Sequence, residues 1–157
     1  MQDGIVGAQA PELRVDDWID GQGQAASPWR LADHADSVRV LYCFQAWCPG
    51  CHSYGFPTLK ALTQRFAGED VQFAVIQTVF EGHDANGPER RRETQRQYEL
   101  PLPFGQDAAQ PLPHTMADYQ SGGTPWFIVI DRQGQVVASD FRPQGLERVI
   151  EKALRDG

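Results

Sequence analysis

The sequence has few cysteines, a deficit of positive charge and no long hydrophobic run. Three cysteines in 157 residues are too few for the disulfide framework that holds small secreted proteins together. Acidic residues outnumber basic ones by 21 to 14, giving a formal net charge of −7. This balance argues against nucleic acid or an anionic membrane as the main partner. No apolar run approaches the roughly 18 residues of a bilayer-spanning helix, so no membrane span is predicted.

The first eleven residues lack the basic segment and the apolar core of a secretory signal. We therefore expect a cytoplasmic protein, or a periplasmic one if a signal peptide has been removed. In a reducing compartment, two nearby cysteines indicate redox chemistry or metal binding rather than a structural disulfide.

Length and composition are those of one globular domain covering residues 1–157. Hydrophobic residues make up 41% of the chain, and a chain of this length can bury a substantial core. No internal repeat, low-complexity tract or linker divides the sequence, so we expect a single domain. The sequence does not specify its oligomeric state.

Hydrophobic periodicity predicts strands that alternate with helices. The predicted strands are residues 12–18, Val38–Phe44, 71–80, Trp126–Ile130 and 135–139. The predicted helices are residues 51–66, 88–98 and 146–154, with a short helix at 115–120 inside a loop-rich stretch from 101 to 123. A turn at residues 131–134 makes the last two strands an antiparallel hairpin, which indicates an α/β fold with a mixed central sheet flanked by helices. Pro57 is expected to kink the first long helix.

Two cysteines at the turn from strand to helix carry the clearest chemistry. Cys48 and Cys51 are three positions apart, which places one sulfur at the helix N-terminus and the other one turn inside. Unpaired backbone N–H groups and the helix dipole favour a thiolate there, so the pKa of Cys48 should lie below the free value of ~8.5. A low-pKa thiolate beside a second thiol is suited to disulfide exchange.

Metal binding by the same pair is the alternative chemistry. A structural zinc site commonly adds a second paired motif, and the sequence has neither a second CxxC nor an HxxxH. A Cu(I) site would need only soft thiolates. We predict no metal site and no cofactor.

The CxxC segment and two flanking motifs resemble the thioredoxin superfamily. Residues 47–51, Trp-Cys-Pro-Gly-Cys, follow a hydrophobic strand, and residues 7–13 and 123–131 resemble the opening segment and the proline loop of the redoxin, TlpA/ResA-like branch. The long interval between Cys51 and Pro125 is similar to the central insertion of TlpA-like proteins. The resemblance covers residue 7 to the C-terminus. It implies a thioredoxin-like fold with an N-terminal extension and a central insertion.

The same resemblance implies roles for individual residues. Cys48 is the attacking cysteine and Cys51 the resolving one. Pro125 is a cis-proline facing the disulfide, which its residue type permits, and Thr124 offers its backbone to an extended substrate. The implied partners are a protein disulfide substrate and an upstream thiol reductant. The remaining predicted substrate-binding residues are Trp47, Pro49, Gly50 and Trp126.

Two tryptophans and one histidine near these motifs each have two interpretations. Trp47 either shields the disulfide and offers an apolar surface to the substrate, or packs in the core. Trp126 either borders the substrate groove or begins the buried final strand. His52 either tunes a thiol as a cation or is an exposed helix side chain. Cys43, on the strand before the motif, is expected to be a buried core residue.

The sequence departs from the family pattern at the position of a buried acid. Thioredoxin-like enzymes often carry that acid six positions before the first cysteine, where this chain has Tyr42. TlpA/ResA-like proteins often have a Glu shortly after the second cysteine, but residues 52–57 contain no carboxylate. Tyr42, Tyr54, His52 or water are the candidates to replace the acid.

The leading functional hypothesis is a thiol-disulfide oxidoreductase that reduces protein disulfides through Cys48 and Cys51. One alternative is a thiol peroxidase. Peroxiredoxins resemble one another in a Thr three residues before the reactive cysteine and an Arg near the substrate loop, where this chain has Gln45 and Pro125. The other alternative is a copper-binding protein or redox adaptor that uses the same pair.

Overall fold

The computed structural model describes residues 4–156, which form a seven-stranded mixed sheet with helices on both faces. Residues 1–3, part of the segment examined for a secretory signal, lie outside the described residues. The strands are β1 (Asp17–Ile19), β2 (Ala25–Ala26), β3 (Val38–Phe44), β4 (Val71–Thr78), β5 (Phe104–Asp107), β6 (Trp126–Ile130) and β7 (Val136–Asp140). Their order across the sheet is β2-β1-β5-β4-β3-β6-β7.

The helices begin with a short 3₁₀ helix, Leu31–His34. They continue with a π-helical turn, Cys51–Gly55, called here the wide turn, and with α1 (Phe56–Arg65), α2 (Pro88–Gln97), α3 (His114–Tyr119) and α4 (Leu146–Asp156). No helix within residues 4–156 is both long enough and apolar enough to cross a membrane.

Strand β3 is the centre of the sheet, as its apolar sequence predicts. Every residue of β3 is buried, and the strand pairs parallel to β4 and antiparallel to β6. Alternation sends Tyr42 and Phe44 into the core that contains α1 and α4, while Leu41 and Cys43 enter the core on the other face. The expectation that Cys43 is a buried core residue is therefore confirmed. Burial raises its pKa above the ordinary value of a thiol, which keeps this sulfur protonated and unreactive.

The first predicted strand is mostly wrong. Only the last two residues of the range 12–18 belong to β1, because side chains bind the backbone of the earlier ones. The Glu12 carboxylate accepts the N–H groups of Leu13, Leu31 and Ala32. The Arg30 guanidinium donates to the carbonyls of Leu13 and Val15. These backbone groups are therefore satisfied without a strand partner.

Two strands were not predicted. Residues 25–26 form β2, and the stretch predicted as loop-rich contains β5, which pairs parallel to β4 and antiparallel to β1. The sequence of β5, Phe-Gly-Gln-Asp, has no β-branched residue, so its extended conformation depends on those two neighbours. The short helix predicted at 115–120 is confirmed as α3.

The helix predicted for residues 51–66 is present but changes type along its length. The wide turn occupies its first five residues, and α1 begins at Phe56 with Pro57 in its first turn. The Phe56 N–H donates to the carbonyl of Cys51, five residues earlier. Pro57 has no backbone N–H and therefore cannot donate a helical hydrogen bond. The helix departs from α geometry in the wide turn just before Pro57, and the first turn of α1 tolerates a residue without an N–H.

Sheet topology brings the two site motifs together. Strand β3 ends at Phe44 and the antiparallel strand β6 starts at Trp126, with Cys43 opposite Trp126 in the register. The segment that leaves β3 and the segment that enters β6 therefore meet at one edge of the sheet. Cys48 lies on the first segment, and Thr124 and Pro125 lie on the second.

Candidate redox site

Cys48 and Cys51 form a close pair at the start of the helix. Cys48 directly precedes the helical residues Pro49 and Gly50, and its sulfur accepts the backbone N–H of Cys51 at 3.2 Å. The thiol of Cys48 also reaches the carbonyl oxygen of Thr124 at 3.6 Å. Cys48 is 7% exposed and Cys51 is 0% exposed. Only the first sulfur can therefore meet a partner from solution.

The two sulfurs have opposite acidities. The hydrogen bond with the Cys51 side chain, the hydrogen bond with the Thr124 side chain and the backbone N–H groups of Cys51 and Gly50 together lower the pKa of Cys48 to about 6, although burial opposes the shift. Burial, followed by the hydrogen bond with Cys48, raises the pKa of Cys51 above its ordinary value. At neutral pH the geometry thus supplies one thiolate and one thiol that keeps its proton.

Pro125 lies against the cysteine helix, and the Thr124–Pro125 peptide bond is cis. Two glycines allow this approach. A Cβ added at Gly50 would lie 3.4 Å from Pro125 Cδ, and one at Gly55 would lie 3.2 Å from Pro125 Cβ. The sequence placed Pro125 and Gly50 at this site, while the contribution of Gly55 was not recognised.

The two tryptophans have different surroundings. Trp47 is 45% exposed, so it does not pack in the core, and Gly82 lies against its indole edge, where an added Cβ would be 3.2 Å from Trp47 Nε1. Trp126 is 3% exposed and begins β6. Its indole N–H donates to Ser139 Oγ at 2.9 Å. The interpretation of Trp126 as the start of a buried strand is confirmed.

A buried polar network, which sequence reasoning missed, holds the loop before Cys48. Gln77 Oε1 accepts the N–H of Ala46 at 2.8 Å, and Asn86 Oδ1 accepts the N–H of Trp47 at 3.0 Å. The Gln77 side chain also donates to the carbonyls of Asn86 and Gly87. Both amide residues are fully buried. No local pattern marks them, because an isolated Gln in a strand or Asn in a loop ordinarily faces solvent.

His52 belongs to the same network. Its Nε2 donates to the carbonyl of Ala46, since a carbonyl can only accept, and its Nδ1 pairs with the hydroxyl of Tyr98. His52 is half-buried, so it is not the exposed helix side chain of one interpretation. Its observed hydrogen bonds hold the loop and involve neither sulfur.

The candidates for the missing acid lie in different places. Tyr42 is fully buried, and its hydroxyl donates to the carbonyl of Cys51 at 3.1 Å. Tyr54 is half-buried and donates to the carbonyl of Phe141 at 3.2 Å. Within residues 4–156, neither sulfur has a carboxylate among its hydrogen-bond partners.

In the same range, no group of three or more His, Cys, Asp and Glu side chains is placed to hold a metal ion.

Comparison with known proteins now identifies the family. Residues 6–139 match the family model described as AhpC/TSA family. The chain belongs to the AhpC/TSA family. This assignment agrees with the resemblance to the redoxin branch of the thioredoxin superfamily, which is confirmed.

Solved structures show that this AhpC/TSA family member has the thioredoxin-like fold. The thioredoxin-like superfamily protein SPOA0173 is 32% identical, with a TM-score of 0.83 over 93% of this chain and 96% of that chain. A thiol-disulfide isomerase from Corynebacterium glutamicum is 27% identical, with a TM-score of 0.79 over 92% and 96%. A putative thiol:disulfide interchange protein DsbE from Chlorobium tepidum shares the fold at 21% identity, with a TM-score of 0.70 over 98% and 99%. No curated protein matches the chain.

Proposed function

We propose that this AhpC/TSA family member is a thiol-disulfide oxidoreductase that reduces disulfide bonds in proteins. The observation that carries the proposal is the asymmetry of the cysteine pair: an acidified, slightly exposed sulfur beside a fully buried, protonated one. Disulfide exchange uses a thiolate for the first attack and a protected second thiol for resolution. The family and the structural neighbours support the same activity.

The first step is attack by Cys48. Its thiolate displaces one sulfur of the substrate disulfide, forming a Cys48–substrate mixed disulfide and releasing the other substrate sulfur as a thiolate, which takes a proton from water. Since the pKa of Cys48 is lowered to about 6, most of this sulfur is ionised at neutral pH. Because Cys48 is only 7% exposed, its sulfur can attack only disulfides that reach the edge of the sheet.

The second step is resolution by Cys51. Its sulfur attacks Cys48, a Cys48–Cys51 disulfide forms, and the second substrate sulfur leaves and receives the proton that Cys51 gives up. The substrate gains two electrons from the cysteine pair and two protons, one from Cys51 and one from water. An upstream thiol reductant must then restore the dithiol, and this partner is part of the proposal.

Several groups around Cys48 are suited to hold a polypeptide substrate. Thr124 is half-buried beside the sulfur, with a backbone carbonyl that an extended chain could meet. Trp47 and Phe141, 45% and 49% exposed, are two of the few large apolar side chains at the surface. Trp47 directly precedes Cys48 in the chain, and the Phe141 ring lies 6.5 Å from that of Trp126, so both border the segments that carry the site. We assign substrate contact to them and to the predicted set Pro49, Gly50, Pro125 and Trp126, whose ring lies beside that of Phe141.

The test measures insulin reduction with dithiothreitol as the electron source, in three variants that each have one cysteine replaced. Cys48→Ala should abolish catalysed reduction, because the nucleophile is lost. Cys51→Ser should accumulate a mixed disulfide through Cys48, visible by mass spectrometry after acid quenching. Cys43→Ser is the matched control and should keep wild-type turnover, because its sulfur takes no part in exchange.

Insulin reduction, together with peroxide-consumption and Cu(I)-binding assays, separates the alternatives. Full turnover by Cys48→Ala would reject the mechanism. Peroxide consumption faster than that of a free thiol, or stoichiometric Cu(I) binding without insulin reduction, would instead support the peroxidase or the metal-binding hypothesis. A cytoplasmic location is our proposal for the compartment, and cell fractionation tests it.

A further inference from the structure

The Tyr42 hydroxyl lies in one fixed position beneath the cysteine helix. The Tyr42 ring packs against Phe56 and Phe127, with ring centroids 4.9 Å and 5.0 Å away. Its hydroxyl donates to the carbonyl of Cys51 at 3.1 Å. Since the ring is fully buried and enclosed by aromatic neighbours, the hydroxyl oxygen has little freedom to move away from Cys51.

Gly55 provides the space that this hydroxyl occupies. A Cβ at Gly55 would lie 2.0 Å from the Tyr42 hydroxyl oxygen, far inside contact distance. The backbone of Gly55 has a φ of −61°, which any residue adopts. Glycine is therefore required here by the close approach of Tyr42 and not by the backbone conformation.

The hydrogen bond from Tyr42 acts on the residue at which the wide turn begins. In an ordinary α-helix the carbonyl of Cys51 would accept the N–H of Gly55, four residues later. Here it accepts the N–H of Phe56 and the hydroxyl of Tyr42. The Tyr42 hydroxyl thus supplies a second donor to the carbonyl whose ladder bond is displaced. This contact fixes the backbone of the resolving cysteine from below.

The group that makes this contact carries no charge. Burial, and after it the nearby Cys51 and Cys48 sulfurs, raise the pKa of Tyr42 well above its ordinary value. The phenol therefore remains a neutral donor throughout the pH range in which the cysteines react. Because the phenol keeps its own proton, it cannot be the base that removes the Cys51 proton. Its role is therefore geometric.

We propose that Tyr42 is a positioning residue for resolution: its hydroxyl, seated against Gly55, holds Cys51 so that its sulfur meets Cys48 in the mixed disulfide. The inference rests on the proposed function. The step concerned is closure, in which Cys51–SH and Cys48–S–S–R give the Cys48–Cys51 disulfide and R–SH. The Tyr42 hydroxyl donates to Cys51 and not to the Cys48 sulfur, so the effect is expected on closure rather than on attack.

The test compares the two steps in wild type and Tyr42→Phe, which removes one oxygen atom. Rapid mixing with an excess peptide disulfide, followed by acid quenching and mass spectrometry, gives the rates at which the mixed disulfide forms and disappears. In Tyr42→Phe we expect the formation rate to stay the same and the lifetime of the mixed disulfide to increase about tenfold, the rate equivalent of one buried hydrogen bond.

Two further variants keep the test decisive. Tyr119→Phe is the matched control, because Tyr119 is also fully buried and donates to a backbone carbonyl, that of Pro11. It should lose stability without lengthening the mixed-disulfide lifetime. Gly55→Ala should displace the Tyr42 hydroxyl and lengthen that lifetime as Tyr42→Phe does, which keeps the proposal testable if Tyr42→Phe does not fold.

Closure at the wild-type rate in folded Tyr42→Phe would overturn the proposal. An equal slowing of both steps would also overturn it, since that result indicates a general structural role. Failure of the proposed function is a separate result, because wild type itself would then form no Cys48 mixed disulfide.

Discussion

The backbone N–H of Ala46 donates to Gln77 Oε1 at 2.8 Å, so a fully buried side chain of β4 holds the loop that leads to Cys48. The Gln77 amide nitrogen extends the link to the carbonyls of Asn86 and Gly87. Asn86 in turn accepts the N–H of Trp47. The loop before the reactive cysteine is therefore fixed by side chains from two neighbouring segments.

Gln77→Met should lower the stability of the fold and remove the hydrogen bond that holds the loop before Cys48. The substitution keeps the length of the side chain and leaves the Ala46 N–H buried without a partner. We expect unfolding free energy to fall by about 2–3 kcal/mol, the cost of an unsatisfied buried group together with the lost hydrogen bonds. Urea unfolding of the reduced protein measures this change.

Gln72→Met is the matched control, because Gln72 lies on the same strand, is only half-buried and makes no side-chain hydrogen bond within residues 4–156. Its unfolding free energy should stay within about 0.5 kcal/mol of wild type. Equal effects of the two substitutions would show that the network does not support the loop.

The reactivity of Cys48 should depend on pH with a midpoint near its lowered pKa of about 6. Only the thiolate is alkylated, so the rate with iodoacetamide should rise as pH increases through about 6 and then level off. Mass spectrometry of reduced protein follows the modification at each pH. Cys51 should stay unmodified in the same range, because burial raises its pKa. A midpoint near 8.5, that of a free thiol, would contradict the hydrogen-bonded environment described for Cys48.

The strands and motifs that sequence reasoning predicted share strong local patterns. Strand β3 is a continuous apolar run, and α4 carries Leu146 and Ile150 on one buried face. The cysteine pair and the proline loop combine unusual residues at fixed spacing. Such signals lie within a few neighbouring positions, so a single sequence carries them.

The features that were missed depend on contacts between distant segments. Strand β5 exists because β4 and β1 pair with it on either side. The segment around Glu12 forms no strand, and the Glu12 carboxylate instead accepts the backbone N–H groups of residues 31 and 32. The polar side chains that hold the cysteine loop show the same limit, since only the folded chain places Gln77 beneath Ala46.

Phe141 is predicted to contribute to substrate binding. Its ring is 49% exposed and lies 6.5 Å from the Trp126 ring, and its carbonyl accepts the hydroxyl of Tyr54. Phe141→Ser should lower kcat/KM for insulin about fivefold, the effect of losing roughly 1 kcal/mol of apolar contact. The alkylation rate of Cys48 should stay the same, because the hydrogen bonds of its sulfur are untouched.

Leu112→Ser is the control for this prediction, since Leu112 is 41% exposed and precedes α3 rather than following β7. It should leave kcat/KM unchanged. If both substitutions lower kcat/KM equally, general surface hydrophobicity and not the position of Phe141 governs binding.

A redox titration of the Cys48–Cys51 pair tests the central claim most directly. The protein is equilibrated in dithiothreitol or glutathione buffers of defined potential, quenched with acid, alkylated and counted for free thiols by mass spectrometry, with Cys43 as an internal reference that stays reduced. The account predicts one two-electron transition between about −270 and −200 mV, the range of thiol reductants such as thioredoxin and glutaredoxin. A midpoint near about −120 mV, the potential of the oxidant DsbA, would contradict the reducing direction. The absence of any Cys48–Cys51 disulfide across the whole range would contradict the mechanism itself.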